Sequence, residues 1–347
     1  MRFSTTQHPL YGGIDLHARS MDGCIVSHEG EILLPRNLPA APGPFLKAVA
    51  PYREGLVVAV ECIFPWYGLA ALCADEGIAF VLGHALSMKA IHGGTAKNDT
   101  IDSQKIALLL RGGMLPQAYV YPADMQATRA LLRRHMHLRH KRSELLSHGQ
   151  NPHRPYHLPE LGKKIAYKAH REGVAARFRD PAVQQTIEVA LALITYDDEL
   201  LRALELPLLQ TAKQHTAPPL SRLPPVPGIG KVLRLVWLYD IHRSDRFPSV
   251  QAFASYARLV KCSKESGGKR LGPSGKNIGN AHLTWAFSEA AVLFLRNTPQ
   301  GQKLLARLET KHAQGKALTI LAHKLARAVY GMLTRKMAFD MDLFLRA

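Results

Sequence analysis

Apolar and polar positions alternate through residues 11–35 on both sides of Ser27-His28-Glu29-Gly30-Glu31, which predicts a β-hairpin turning at the glycine. Its first strand contains Gly12-Gly13-Ile14-Asp15-Leu16, so an acid sits inside an otherwise apolar run. The proline-rich stretch 38–44 leads into a short helix. Gly55-Leu56-Val57-Val58-Ala59-Val60 then reads as a buried central strand that runs directly into Glu61. A helix at about 65–77, a strand over Ile78–Leu82 and a helix from about Asp99 to Leu110 complete an alternating α/β layer, and Gly112-Gly113 stops that last helix. Beyond it the period changes. Residues from about 124 to 148 form one long amphipathic helix and those from about Pro181 to Gln214 a second, with a loop predicted at the three-proline stretch Asn151–Pro159. The two helices suggest an antiparallel arm. Thr216–Pro227, with five prolines, reads as a linker; a third, largely helical region follows, with a Gly-rich loop at 263–280 and a final helix from about 315 to 345. The fold class is therefore α/β followed by all-α, divided as 1–122, 123–215 and 216–347.

Length and composition agree with this division. The 347 residues suffice for two or three domains, and 47% apolar with 21% charged residues excludes disordered and collagen-like chains. The net charge of +18 is unevenly placed: residues 1–120 hold nine bases and ten acids, leaving +19 on the remainder. A near-neutral first third joined to a basic remainder suggests a polyanion partner for the latter, though long basic helices of no special function share the pattern. Cys24, Cys62, Cys73 and Cys262 show no metal-ligand spacing and read as reduced thiols of a cytosolic protein. Residues 1–10 have no apolar segment of a secretory signal, and no stretch approaches a membrane span, so a membrane partner is not expected.

Four acids stand in positions that call for an explanation. Asp15 lies within a strand, Glu61 ends the central strand, and Asp99 and Asp102 are three apart on one helix face. A carboxylate at the end of an apolar strand is costly unless it is paired or holds a cation, and oxygen ligands from separate segments suit a hard divalent ion. Two such ions can serve phosphoryl transfer. The plainer reading makes Asp99 a helix N-cap and Asp102 an ordinary first-turn acid.

The stretch 263–280 carries five glycines and four bases, including Lys264, Gly267, Gly268, Lys269, Arg270 and Lys276, and ends at Asn280. Close backbone approach to phosphate is one reading; a nucleophilic Ser266, left sterically open by two glycines, is the other. Pro227-Gly228-Ile229-Gly230-Lys231 resembles the turn of a helix-hairpin-helix, whose backbone amides hold a DNA phosphate, and would look nearly the same as a tight helix–helix turn. Arg129, Arg133, Arg134, Arg139, Lys141 and Arg142 line the first long helix as further nucleic-acid contacts. His135, His137 and His140 lack zinc spacing and read as surface residues.

Taken together these motifs resemble the insertion-sequence-110 family of transposases, which includes the Piv-type DNA invertases. The resemblance rests on Gly13-Ile14-Asp15, Val58-Ala59-Val60-Glu61, Lys97-Asn98-Asp99-Thr100-Ile101-Asp102-Ser103 and Pro227-Gly228-Ile229-Gly230. Glu265-Ser266-Gly267-Gly268-Lys269-Arg270, followed by Gly279-Asn280, completes it. It implies an RNase H-like (RuvC-like) DEDD domain with Asp15, Glu61, Asp99 and Asp102 as ligands of Mg²⁺ or Mn²⁺. It also implies a helical coiled-coil arm for dimerisation and a transposase domain with Ser266 as the catalytic serine. The family further implies a 5′-phosphoserine intermediate, donor and target DNA, a structured non-coding guide (bridge) RNA, and a homo-oligomer, a dimer that becomes a tetramer at synapsis. The setting would be the bacterial cytoplasm, at the nucleoid. Thr284 stands where the family pattern leads one to expect a base. Other readings are a RuvC-like nuclease using water, a site-specific invertase, and an architectural nucleic-acid binder with structural acids.

Overall fold

The computed structural model describes residues 2–62, 66–91, 98–150, 155–159, 165–214, 223, 225–260, 262–274, 278–296 and 298–346. They form two compact units, Met1–Ala123 and Asp124–Ala347.

The first unit is built on a five-stranded sheet. Its strands are β1 (Leu10–Leu16), β2 (Ser20–Ser27), β3 (Ile32–Pro39), β4 (Leu56–Glu61) and β5 (Ala79–Gly83), in the order β3-β2-β1-β4-β5. The first three run antiparallel, whereas β4 pairs parallel with both β1 and β5. The segment 11–35 thus holds parts of three strands where the alternation predicted two. The turn at Gly30, with φ of 102°, was legible. The β1–β2 turn contains neither glycine nor proline and is closed by the His17 N–H donating to the Ser20 carbonyl at 2.9 Å.

The two-residue period of a strand sorts side chains onto two faces. Ile14, Leu16, Met21, Ile25, Val58 and Val60 pack on Phe45 of α1 (Pro42–Val49) and on Trp66, Leu69 and Cys73 of α2 (Trp66–Asp75). Beyond β5, α3 (Ala85–Ile91) precedes α4 (Asp99–Arg111), whose Ile106, Leu109 and Leu110 pack on Tyr11, Val57 and Ala59 of the opposite face. Asp15 and Glu61 share the parity of Tyr11, Val57 and Ala59, so both belong to the α4 side. A mixed sheet covered on both faces is consistent with an RNase H-like domain.

The second unit opens within the first turn of α5 (Ala123–Gln150) and continues to α6 (Pro181–Gln214). His135 and Arg139 meet Glu205 while Arg142 meets Asp198, so partners descend along α6 as they rise along α5 and the helices are antiparallel. Met125, Leu132 and Met136 of α5 and Leu208 of α6 enter one core with α7 (Lys231–Ile241), α8 (Val250–Tyr256), α9 (Ala281–Arg296), α10 (Pro299–Glu309) and α11 (Gln314–Arg335). Trp237 stacks on Phe287 at 4.9 Å near its centre. The expected single last helix is broken: Lys336 takes a left-handed conformation with φ of 55°, and α12 (Met341–Arg346) follows. The break lets Phe339 and Phe344 fold back onto Phe294, at 6.2 and 5.3 Å. Much of the proline linker, 216–222 and 224, and part of the arm loop, 151–154, lie outside the described residues. Among the described residues no helix is long and apolar enough to cross a membrane.

Candidate active site

Strand β1 carries Asp15 to the C-terminal edge of the sheet, where its carboxylate is only 10% exposed. Parallel pairing of Ile14 with Val60 sets Glu61 one step further along, beside Asp15 and on the same face. α4 begins above this edge. Asn98 caps it by accepting the Thr100 N–H at 3.1 Å, which leaves Asp99 in the first turn, where the helix dipole favours an anion, rather than at the cap itself. Asp102 follows one turn later and accepts from Lys105 at 3.2 Å. Among the described residues, the donor atoms of Asp15, His17 and Asp99 lie within 4.8 Å of one another; Glu61 and Asp102 flank this group without joining it.

Burial raises the Asp15 carboxyl above its ordinary range; His17 opposes that shift, and Asp99, Asp102 and Asp22 add to it. Two of these residues, His17 and Asp22, stand outside the motifs that mark the four acids. His17 follows Asp15 by two positions, a spacing that returns a side chain to the same side of an extended chain. Asp22 is buried directly across from Asp15 in the antiparallel register, and accepts from Asn37 at 2.6 Å and from the Thr100 hydroxyl at 3.2 Å. It thereby ties the first turn of α4 to the sheet.

Gly13 sets how closely α4 approaches. A Cβ there would fall 2.1 Å from the Ser103 carbonyl oxygen and 2.4 Å from the Ala107 nitrogen, both backbone atoms that cannot swing aside. Gly13→Ala is expected to push α4 off the sheet and to destabilise this unit by about 1–3 kcal/mol or more. Thermal unfolding of the full chain, with metal binding measured in parallel, checks both consequences.

Ser266 belongs to the second unit. The predicted Gly-rich loop is instead largely a hairpin of β6 (Cys262–Ser266) and β7 (Lys269–Ser274), with Ser266 paired to Lys269 across Gly267-Gly268. Both glycines take positive φ, 56° and 73°, as a two-residue primed turn requires. Glycine density suggested a loop because it hid that turn. Ser266 and Lys269 are exposed at its end, whereas the side chains of Lys264 and Arg270, and all of Lys276, lie outside the described residues.

A transposase family model, that of the DEDD domain of IS110 elements, matches residues 12–150. A second, described as the transposase IS116/IS110/IS902 family, matches residues 220–306. The chain belongs to the IS110 family of transposases. No curated protein matches it. An IS110 transposase is an enzyme acting on DNA, and its DEDD domain implies a divalent metal ion. The residues present fit one: several carboxylates from separate segments converge on Asp15, where burial and like charge disfavour the ionised form and a cation would favour it.

In the helical part of the IS110 transposase, several residues expected on nucleic acid have partners within the chain. Arg129 and Arg133 donate to Asp240 of α7 at 2.8 and 3.0 Å, and both Arg129 and Asp240 are buried. Burial works to raise Asp240, but Arg129 and Arg133, joined by His282 and the Asn280 side chain, together hold its carboxyl low. Arg129 is therefore an internal tie between α5 and α7. Arg142 shares Asp198 with buried Arg171, Arg139 meets Glu205 and Lys141 meets Glu144, while Arg134 is exposed.

Asn280 is likewise internal. It is buried, and its side-chain oxygen caps α9 by accepting from the His282 and Leu283 N–H groups. The Thr284 hydroxyl donates to the Ala257 carbonyl at 2.8 Å. Gly228, with φ of 77°, sits where a Cβ would be 2.5 Å from the Leu293 carbonyl oxygen, so packing against α9 already accounts for it. Gly230 and the exposed Lys231 stand at the start of α7.

Proposed function

We propose that this transposase cuts and rejoins DNA through a covalent serine intermediate formed at Ser266, guided by a structured non-coding RNA. The observation that carries the reading is the placement of Ser266, exposed beside a two-glycine turn and opposite Lys269. A serine there meets no steric bar to a bulky phosphodiester. Its Oγ would attack phosphorus, lose its proton and form the Oγ–P bond. The P–O3′ bond breaks in the same exchange, and the departing oxygen takes up a proton as a free 3′-OH. Lys269, opposite Ser266, would steady the phosphate. Asp15, Glu61, Asp99 and Asp102 would hold Mg²⁺ or Mn²⁺, which when bound supplies Lewis-acid stabilisation and an activated attacking oxygen.

In this reading residues 1–122 are the metal domain, 123–215 the arm and 216–347 the serine domain. The serine of one subunit is served by the carboxylates of another, in a dimer that pairs into a tetramer at synapsis. A second apolar stripe on α6 supports the arm as the dimer contact. Ile187, Ile194, Leu201 and Leu208 repeat every seven residues and are buried, whereas Val189, Leu193 and Tyr196 form a separate row exposed by 50%, 47% and 59%. Donor and target DNA and the RNA would share the basic second unit. Work at the nucleoid of a bacterial cytoplasm follows from that reading.

Sequencing the RNA that accompanies the purified protein tests the guide directly. One discrete transcript from the flank of the coding element is expected, released as salt is raised because phosphate contacts dominate such binding. Recovery of only a random sample of cellular RNA would remove the guide from this account.

A further inference from the structure

The DEDD reading leaves His17 without a role, yet its imidazole Nε2 stands 3.4 Å from Asp15 Oδ2 and 3.4 Å from Asp99 Oδ2. Both separations exceed the roughly 2.7–2.9 Å of a charge-assisted N–H···O bond. They lie close to the separation of about 3 Å that adjacent ligands of a small octahedral ion adopt. The β1–β2 turn holds the backbone of His17 through its N–H bond to Ser20, so the imidazole is presented to the site by the turn that directly follows the strand presenting Asp15. Exposure grades outward: Asp15 is 10% exposed at the floor, while His17 and Asp99 are 46% and 52% exposed at the rim. One nitrogen and two carboxylate oxygens thus converge on a space open to solvent on one side.

We infer that His17 is a ligand of the ion held by Asp15 and Asp99, and that its nitrogen makes the site prefer a first-row transition ion such as Mn²⁺ to Mg²⁺. This rests on the carboxylates being a metal site at all. Mg²⁺ favours oxygen donors throughout and sheds water reluctantly, whereas imidazole is a good donor to transition ions. A site of carboxylates alone would show less of that preference. A protonated His17 bridging two carboxylates is the contrary arrangement. It would compete with either ion, so its removal would tighten both.

The test uses the full chain and Mn²⁺ as the probe, with free Mn²⁺ followed by electron paramagnetic resonance and Mg²⁺ added as competitor. His17→Ala is expected to weaken Mn²⁺ binding by about tenfold, the lower end of what loss of a metal's supporting groups costs. Mg²⁺ affinity should change by less than about threefold, since this ion gains little from a nitrogen donor. Pulsed measurements on the unaltered protein should show one histidine nitrogen coupled to Mn²⁺. No coupled nitrogen, or a tightening of both ions in His17→Ala, would overturn the inference and leave the carboxylate site standing. Mn²⁺ binding unchanged by Asp15→Asn would instead remove the metal site itself, and His17 with it.

Discussion

Replacing Asp15 by asparagine is expected to reduce strand cleavage by about a thousandfold or more, equivalent to roughly 4 kcal/mol of transition-state stabilisation. The substitution keeps the shape of the side chain and removes the charge at the floor of the site. Folding should not suffer. Burial, followed by the neighbouring acids, raises the Asp15 carboxyl above its ordinary value of 3.8, so the ionised group is a burden on the folded state. Because the folded state binds that proton more tightly, the burden grows as pH rises from 3.8 through the raised value and is complete above it. Asp15→Asn should accordingly unfold at an equal or higher temperature than the unaltered protein at neutral pH. Loss of cleavage with stability kept marks a group retained for chemistry at a cost to the fold. Cleavage at the original rate in a well-folded Asp15→Asn protein would remove this carboxylate from the reaction.

Ser266→Ala should remove the covalent protein–DNA adduct altogether. Loss of a serine nucleophile costs on the order of a millionfold elsewhere, which places any residual reaction below detection. The side chain is exposed beside a turn whose geometry depends on Gly267 and Gly268, so the hairpin should form unchanged. Metal binding and retention of nucleic acid should both survive, which separates this variant from Asp15→Asn. Continued cutting by Ser266→Ala, with 5′-phosphate ends and no attached protein, would assign the nucleophile to water and the protein to the nucleases.

The acids were legible because each broke a local rule. Asp15 interrupts an apolar strand, Glu61 ends one, and Asp99 and Asp102 share one helix face. Strand parity could carry the first two to the α4 side, but no periodicity reveals that Asp22 lies across from Asp15 or that His17 bends back over it. Those placements depend on a turn without glycine or proline. Arg129 of α5 misleads for the opposite reason. Arg129 and Arg134 look alike in sequence; only the buried Asp240, 111 positions beyond Arg129, turns one inward and leaves the other exposed. Asn280 likewise looks like a phosphate contact until its two backbone bonds at the start of α9 are seen. The long helices α5 and α6 are legible because a 3.6-residue period accumulates over many turns. The Ser266 hairpin is not legible in the same way, because five residues of strand carry no comparable signal.

The central claim is that DNA becomes joined to Ser266, and peptide mapping after reaction tests it most directly. The protein would be incubated with its RNA, a donor DNA and a divalent metal, then denatured and digested with nuclease and trypsin. The account predicts that the peptide Glu265–Lys269 carries a nucleotide joined through its 5′-phosphate to the Ser266 oxygen. Cleaved DNA with that peptide unmodified and all 5′-phosphates free would contradict it.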